Sequence, residues 1–286
     1  MSRSSSSTWT ILGVLDWTAE RFAQQGLDAP RVDAEVLLAH CLAQQRIQLY
    51  AHYDQPLAAE ELAAYRAAIK RRMAREPVAY ITGSREFWSL PLAVTPEVLI
   101  PRPETETLVE VALALSQRAA RTLVDVGTGS GALAIALASE LPAARVLATD
   151  LGQAALALAR GNATIHGLEL ELLQGDLLSP LPDDLQPELV VSNPPYVTTA
   201  EWQQLPPEVR DWEPRAALDG GPDGLSVIRR LVPAAAGRLA PGGHLALEVG
   251  AGQAPQVMEL LREQGFTKVR AHPDLAQVER VVSGRR

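Results

Sequence analysis

Residues 122–140 read TLVDVGTGSGALAIALASE, and this stretch decides the fold. Leu123 to Val126 is a short apolar run, and from Ala132 the Ala/Leu pattern suits a helix. Between them Gly127-Thr128-Gly129-Ser130-Gly131 makes a glycine-rich turn that follows a strand and opens a helix. Glycines there let the backbone approach a ligand closely, and a helix start offers free N–H groups. The spacing is G-x-G-x-G rather than G-x-G-x-x-G, and no Lys-Ser/Thr pair follows, so a nucleoside-triphosphate loop is not expected.

Outward from this turn, strand-like and helix-like segments alternate from Thr105 to the end of the chain, which predicts an α/β fold with a mostly parallel sheet and helices on both faces. The expected strands are Thr122 to Val126, Arg145 to Thr149, Glu171 to Gln174, Glu188 to Ser192, His244 to Val249, Thr267 to Ala271 and Glu279 to Ser283. The clearest helices are Ala132 to Glu140, Gln153 to Ile165, Leu225 to Leu239 and Ala254 to Gln264. Tyr196 to Gly224 has no period and four prolines. It directly follows a strand, where open α/β sheets place ligands, and it reads equally as a surface crossover or as part of a site.

Polar residues at strand ends sketch a cofactor site. Asp150 closes the second strand, where a carboxylate accepts both ribose hydroxyls of an adenosine cofactor. Asp176 after the third strand can accept from an adenine amino group while Leu177 packs on the ring, or it can be a surface turn residue. These features suit S-adenosylmethionine better than a nicotinamide cofactor, without settling function.

The fourth strand ends in Asn193-Pro194-Pro195-Tyr196. The prolines stiffen the backbone and remove N–H groups, leaving the Pro194 carbonyl to face a site unopposed. An amide or aromatic amine nitrogen is a poor nucleophile because its lone pair is delocalised. Two acceptors, the Asn193 side-chain oxygen and the Pro194 carbonyl, can hold both its hydrogens and turn the lone pair toward an electrophile, while Tyr196 packs on the planar group. Alignment then lowers the barrier without a covalent side chain or a strong base. Together with Gly127 to Gly131, this favours methyl transfer over hydride transfer.

Before Thr105 the pattern changes. Thr8 to Glu76 is helical, with Gly26 as a stop and Pro30 as a first-turn start, which predicts a small helical bundle. Val78 to Thr82 and Leu92 to Ile100 look extended around Gly83 and Ser89-Leu90-Pro91, and are expected to form a β-hairpin linker. The domains expected are therefore 1–76, 77–104 and 105–286. Met1 to Ser7 reads as a flexible Ser-rich tail, and the apolar Trp9 to Leu15 is too soon broken by Asp16 for a secretory signal.

Composition narrows the classes. The 286 residues, at roughly 150 per domain, allow two domains. The net charge of -8, from 26 Lys plus Arg against 34 Asp plus Glu, lacks the basic footprint of a phosphate-binding protein. Glu140 and Arg145 break the longest Ala/Leu stretch, so no membrane span is expected. Cys41 is the single cysteine, which excludes an intrachain disulfide and suits a reducing, cytoplasmic compartment, with the thiol packed on a helix. Histidines 40, 52, 166, 244 and 272 show no metal-ligand spacing, so no metal is expected.

The segments Arg85-Glu86-Phe87-Trp88-Ser89-Leu90-Pro91 and Ile100-Pro101-Arg102-Pro103-Glu104-Thr105-Glu106, with the glycine turn and Asn193 to Tyr196, resemble the HemK/PrmC family of release-factor glutamine methyltransferases over almost the whole chain. The resemblance implies a helical N-terminal domain that contacts the substrate protein, a hairpin, and a class I, Rossmann-like, seven-stranded methyltransferase domain. It implies methyl transfer from S-adenosylmethionine to N5 of the glutamine in the Gly-Gly-Gln motif of class 1 peptide chain release factors. Gly127, Thr128, Gly129, Ser130, Gly131, Asp150, Asp176, Leu177 and Asn193 would bind the cofactor. Asn193, Pro194, Pro195 and Tyr196 would bind the glutamine, with Asn193, Pro194 and Tyr196 catalytic. The expected partner is the release factor alone, with no nucleic acid or membrane, and the chain is expected to be a monomer. Arg102 and Glu104 are either solvated linker residues or functional ones. The alternatives are a ribosomal-protein glutamine methyltransferase, which usually carries a Pro-Arg-Ser-Pro type string at this segment, an adenine-N6 or guanine-N2 nucleic-acid methyltransferase acting on a flipped base, and a non-catalytic binding module.

Overall fold

A computed structural model describes residues 9–117 and 120–286, so the tail expected over Met1 to Ser7 lies outside the described residues. The chain forms two compact units that divide between Gly83 and Ser84.

Among its described residues the first unit holds five helices: α1 (Ile11–Gln24), α2 (Pro30–Cys41), α3 (Arg46–Ala51), α4 (Ala59–Met73) and α5 (Val78–Thr82). Thr10 caps α1 by accepting from the Gly13 N–H at 3.2 Å, and Pro30 starts α2 with its fixed φ and no N–H to lose. Ile11, Phe22, Leu37, Leu38 and Tyr65 fill the core, where the Tyr65 hydroxyl donates to the Ala34 carbonyl at 3.0 Å. Burial pushes the Cys41 thiol up from its usual range, as suits a packing residue.

Val78 to Thr82 is helical, not extended. Pro77 leads into the turn and its carbonyl accepts from Tyr80 and Ile81, while Gly83, at φ 72°, ends the helix in the left-handed region. The β-branched composition suggested a strand, but burial of Ile81 in the helical core prevails.

The second unit opens with a hairpin, β1 (Ser84–Phe87) and β2 (Leu90–Ala93), shorter than the run expected to reach Ile100. Its two-residue turn is Trp88-Ser89, at φ 53° and 58°, which overlaps the expected Ser89-Leu90-Pro91 step, while Gly83 ends α5 instead. Side chains stabilise this turn: the Trp88 N–H donates to Glu106 at 2.8 Å and its indole to Glu140 at 3.0 Å. Phe87 and Leu92 are buried in the core of this unit.

There follow α6 (Glu106–Leu115), β3 (Thr122–Val126), α7 (Ala132–Glu140), β4 (Arg145–Asp150), α8 (Gln153–Ile165), β5 (Glu171–Gln174), β6 (Leu189–Ser192), the short α9 (Thr199–Trp202) and α10 (Pro207–Arg210), then α11 (Ser226–Arg238), β7 (His244–Glu248), α12 (Ala254–Glu263), β8 (Thr267–Pro273) and β9 (Glu279–Arg285). The seven strands lie in the order β5-β4-β3-β6-β7-β9-β8, with β9 antiparallel to both neighbours and the other pairs parallel.

Strand side chains alternate between two cores. Leu123, Val146, Leu189, Val191 and Ala246 face the one with α6 and α7, whereas Val124, Leu147, Val190, Leu245 and Leu247 face the one with α11 and α12. The chain runs from β3 to β4 and β5 on one side and resumes with β6 on the other. That reversal leaves a crevice at the carboxyl ends of β3 and β6, where open sheets bind ligands.

Candidate active site

Register brings the site residues into one row. Thr149, Val126, Ser192 and Leu247 are partners across β4, β3, β6 and β7. The next residue on each strand is therefore Asp150, Gly127, Asn193 and Glu248, aligned along the carboxyl edge of the sheet. Asp176 and Leu177 follow β5 at the same edge.

The glycine turn is pinned from below. Gly127 and Thr128 donate to the Thr149 carbonyl at 2.8 and 3.0 Å, and the Thr128 hydroxyl donates to Asp125 at 2.7 Å. Asn162 of α8 donates to the Ser130 carbonyl at 2.8 Å. Burial pushes the Asp125 carboxyl up to about 7, against the Thr128 hydrogen bond.

Gly127 and Gly129 have φ of 75° and 56°, and a Cβ on either would point into open space. Gly131 instead is walled by Ile135 and Ala159. The turn thus presents bare backbone on the side away from the protein, which fits a close-lying cofactor. Asp150 accepts from Gly129 at 2.9 Å and from Gly152 at 2.8 Å, which holds its carboxylate at the turn. Each carboxylate oxygen keeps capacity for a further donor. Asp176 pairs with Arg230 of α11, both half exposed. A surface pair of this kind is worth about 0–1 kcal/mol, so it gives way readily to a ligand.

Asn193 donates through Nδ2 to the Thr105 hydroxyl at 3.1 Å, which directs Oδ1 to the opposite side of the amide. Pro194 is buried. Tyr196 is anchored twice: its hydroxyl donates to Glu248 Oε1 at 3.2 Å, and its carbonyl accepts from Gln253 Nε2 at 2.9 Å. Burial holds the Tyr196 phenol above its usual range, so it stays protonated.

The stretch from Tyr196 to Gly224 folds back onto the strand end it leaves. Val197 and Asp219 form a parallel bridge, and the Gly220 N–H donates to the Val197 carbonyl at 2.8 Å. A Cβ on Gly220 would lie 2.5 Å from the Pro195 carbonyl oxygen, so no larger residue fits there without displacement. Further along, buried Glu213 pairs with Arg102 at 2.5 Å and accepts from the Ile100 N–H at 3.1 Å. Arg102 is thus a structural partner of this segment and not simply solvated.

Thr105 and Glu248 were not singled out from sequence. Thr105 lies inside the quoted 100–106 segment. Glu248 carried a signal: like Asp150, it is a polar residue ending a buried apolar strand.

Comparison with known proteins shows which family the chain resembles. Residues 13–83 match the PrmC N-terminal domain and residues 104–205 the methyltransferase small domain. The chain is 48% identical to the release factor glutamine methyltransferase of Geobacter sulfurreducens, over 97% of each chain. It is 46% identical to that of Moorella thermoacetica, over 95% of this chain and 96% of the relative. Among solved structures, the hMettl16 catalytic domain bound to MAT2A 3'UTR hairpin 6 aligns with a TM-score of 0.57 at 18% identity, over 76% of this chain and 81% of that one. That likeness is of fold alone, the class I S-adenosylmethionine-dependent methyltransferase architecture. On the strength of its full-length relatives, the chain belongs to the family of release factor glutamine methyltransferases.

Proposed function

We propose that this protein methylates N5 of the glutamine in the Gly-Gly-Gln motif of class 1 peptide chain release factors, using S-adenosylmethionine. The observation that carries the reading is the Asn193 amide, tied at Nδ2 to Thr105 so that its acceptor oxygen is left for a substrate N–H, one strand away from the open glycine turn.

The backbone of Gly127, Thr128, Gly129, Ser130 and Gly131 would hold the cofactor, with Asp150 on the ribose, Asp176 and Leu177 at the adenine, and Asn193 beside it. When bound, S-adenosylmethionine supplies a methyl group made electrophilic by its sulfonium. The chain's own residues prepare the nucleophile. Asn193 Oδ1 and the Pro194 carbonyl accept the two amide hydrogens, Pro195 keeps the backbone stiff, and Tyr196 packs against the amide plane. Held in this way, the nitrogen lone pair is presented in one direction, and the reaction gains from orientation rather than from a strong base.

The helical unit preceding Gly83 would contact the release factor. Leu12, Trp17, Val32, Ile47, Tyr50 and Tyr53 are exposed there, while among the described residues the remaining exposed large apolar side chains are Leu151, Ile165 and Leu275. Aromatic residues left in water are typical anchors for a protein partner. We read the chain as a cytoplasmic monomer that acts on protein and not on nucleic acid. Peptide mapping of a release factor incubated with the protein and S-adenosylmethionine tests this reading. A single methyl on the Gly-Gly-Gln glutamine is expected, and methyl on another residue would refute it.

A further inference from the structure

Glu248 is 1% exposed at the end of β7, level with Asn193 and Asp150. A carboxyl buried at the end of an apolar strand is costly, so its retention calls for a reason. Its Oε1 accepts from the Tyr196 hydroxyl, and its Oε2 is buried with no hydrogen-bond partner among the described residues.

The groups facing it come from three elements. The Thr105 hydroxyl, from the 103–105 turn, favours the charged form, as do the Tyr196 hydroxyl and the Arg280 guanidinium on β9, whereas Glu104 opposes it. Arg280 is itself paired with Asp274, and Arg102 acts on Tyr196. Burial outweighs these contacts and pushes the carboxyl up to about 7.

We propose that Glu248 is a positioning residue for methyl transfer: its carboxylate fixes the Tyr196 phenol by accepting its O–H. The proposal rests on the reading of Asn193 to Tyr196 as the clamp on the substrate amide. A carboxylate only accepts, so the phenol must donate to it and cannot reverse. A protonated Glu248 no longer imposes this, because its O–H can itself donate and let the phenol rotate. The charged form is therefore the active one, and turnover rises with pH through the titration of this group.

The test is steady-state methylation of a release factor by wild type, Glu248→Gln and Glu248→Ala across pH 5.5–8.5, with S-adenosylmethionine affinity measured by calorimetry and folding by thermal unfolding. Glu248→Gln, of equal size, is expected to lower kcat about tenfold, to change cofactor affinity less than about twofold, and to abolish the acid limb of the pH profile. Combining it with Tyr196→Phe is expected to cost less than the product of the two single effects. Glu248→Gln with wild-type kcat and an unchanged acid limb overturns the proposal alone. Wild-type protein that binds cofactor yet methylates no release factor removes the clamp reading, and this proposal with it.

Discussion

The side-chain amide of Asn193, at the end of β6, donates to the hydroxyl of Thr105 at 3.1 Å, joining two residues 88 positions apart in the chain. On the proposed reading, that single contact decides which end of the amide would face the substrate. Thr105→Val keeps the shape and removes the acceptor. It is expected to cost about 1–2 kcal/mol of transition-state stabilisation, or about 5- to 30-fold in kcat, with cofactor affinity preserved. Thr105→Ser is expected to restore most of the rate. Equal rates for Val and wild type in steady-state methylation would show that Asn193 needs no such support.

Asp150 accepts from Gly129 and Gly152, and on the proposed reading it would also take the ribose hydroxyls of the cofactor. Asp150→Ala should weaken S-adenosylmethionine binding by about 1–3 kcal/mol. Calorimetry checks this directly, and an unchanged affinity would take Asp150 out of the cofactor site.

Gly220 lies against the backbone of the proposed clamp. Gly220→Ala forces a Cβ to within 2.5 Å of the Pro195 carbonyl oxygen, so either backbone must move. The expected loss is about 1–3 kcal/mol of stability, seen as a lower Tm, with a fall in kcat as Pro195 and Tyr196 shift. An unchanged Tm and kcat would mean that the segment from Tyr196 to Gly224 yields freely.

Asp125 predicts a pH dependence of stability. Its folded value is raised from 3.8 to about 7, chiefly by burial, so between these values the folded state binds more protons than the unfolded one. Stability from this group is therefore greatest below the unfolded value and falls as pH rises through about 7. Asp125→Asn removes the titration while keeping an acceptor for Thr128. Thermal unfolding from pH 5 to 8 should show a smaller drop in Tm for the variant than for wild type, and equal drops would contradict the assignment.

Much of this was legible from residue order because buried parallel strands write themselves as unbroken apolar runs, as at Leu189-Val190-Val191, and because glycine and proline mark the ends. Where propensity and tertiary packing disagree, the sequence misled: Val78 to Thr82 has strand composition but makes one helical turn between Pro77 and Gly83. The Trp88-Ser89 turn carries none of the glycine or asparagine that its left-handed φ values favour, and is held instead by Glu106 and Glu140, far away in the chain. Helix α6, starting at Glu106, was folded into the general α/β pattern without being distinguished. At the site, Gly127 to Gly131 and Asn193 to Tyr196 stand out as local strings, whereas Thr105, Glu248 and Gly220 matter only through what the fold sets beside them. Of these, Glu248 has the one local sign, a polar residue ending a buried apolar strand, and Thr105 and Gly220 have none.

The most direct test is transfer of labelled methyl from S-adenosylmethionine to a purified release factor, run beside its Gly-Gly-Gln glutamine-to-alanine variant, a ribosomal protein and an oligonucleotide. Asn193→Ala protein serves as the clamp control. Label is expected on the glutamine-bearing release factor alone, and is expected to vanish with Asn193→Ala while cofactor binding persists. Label on the alanine variant, the ribosomal protein or the oligonucleotide, or full activity without Asn193, would contradict the account.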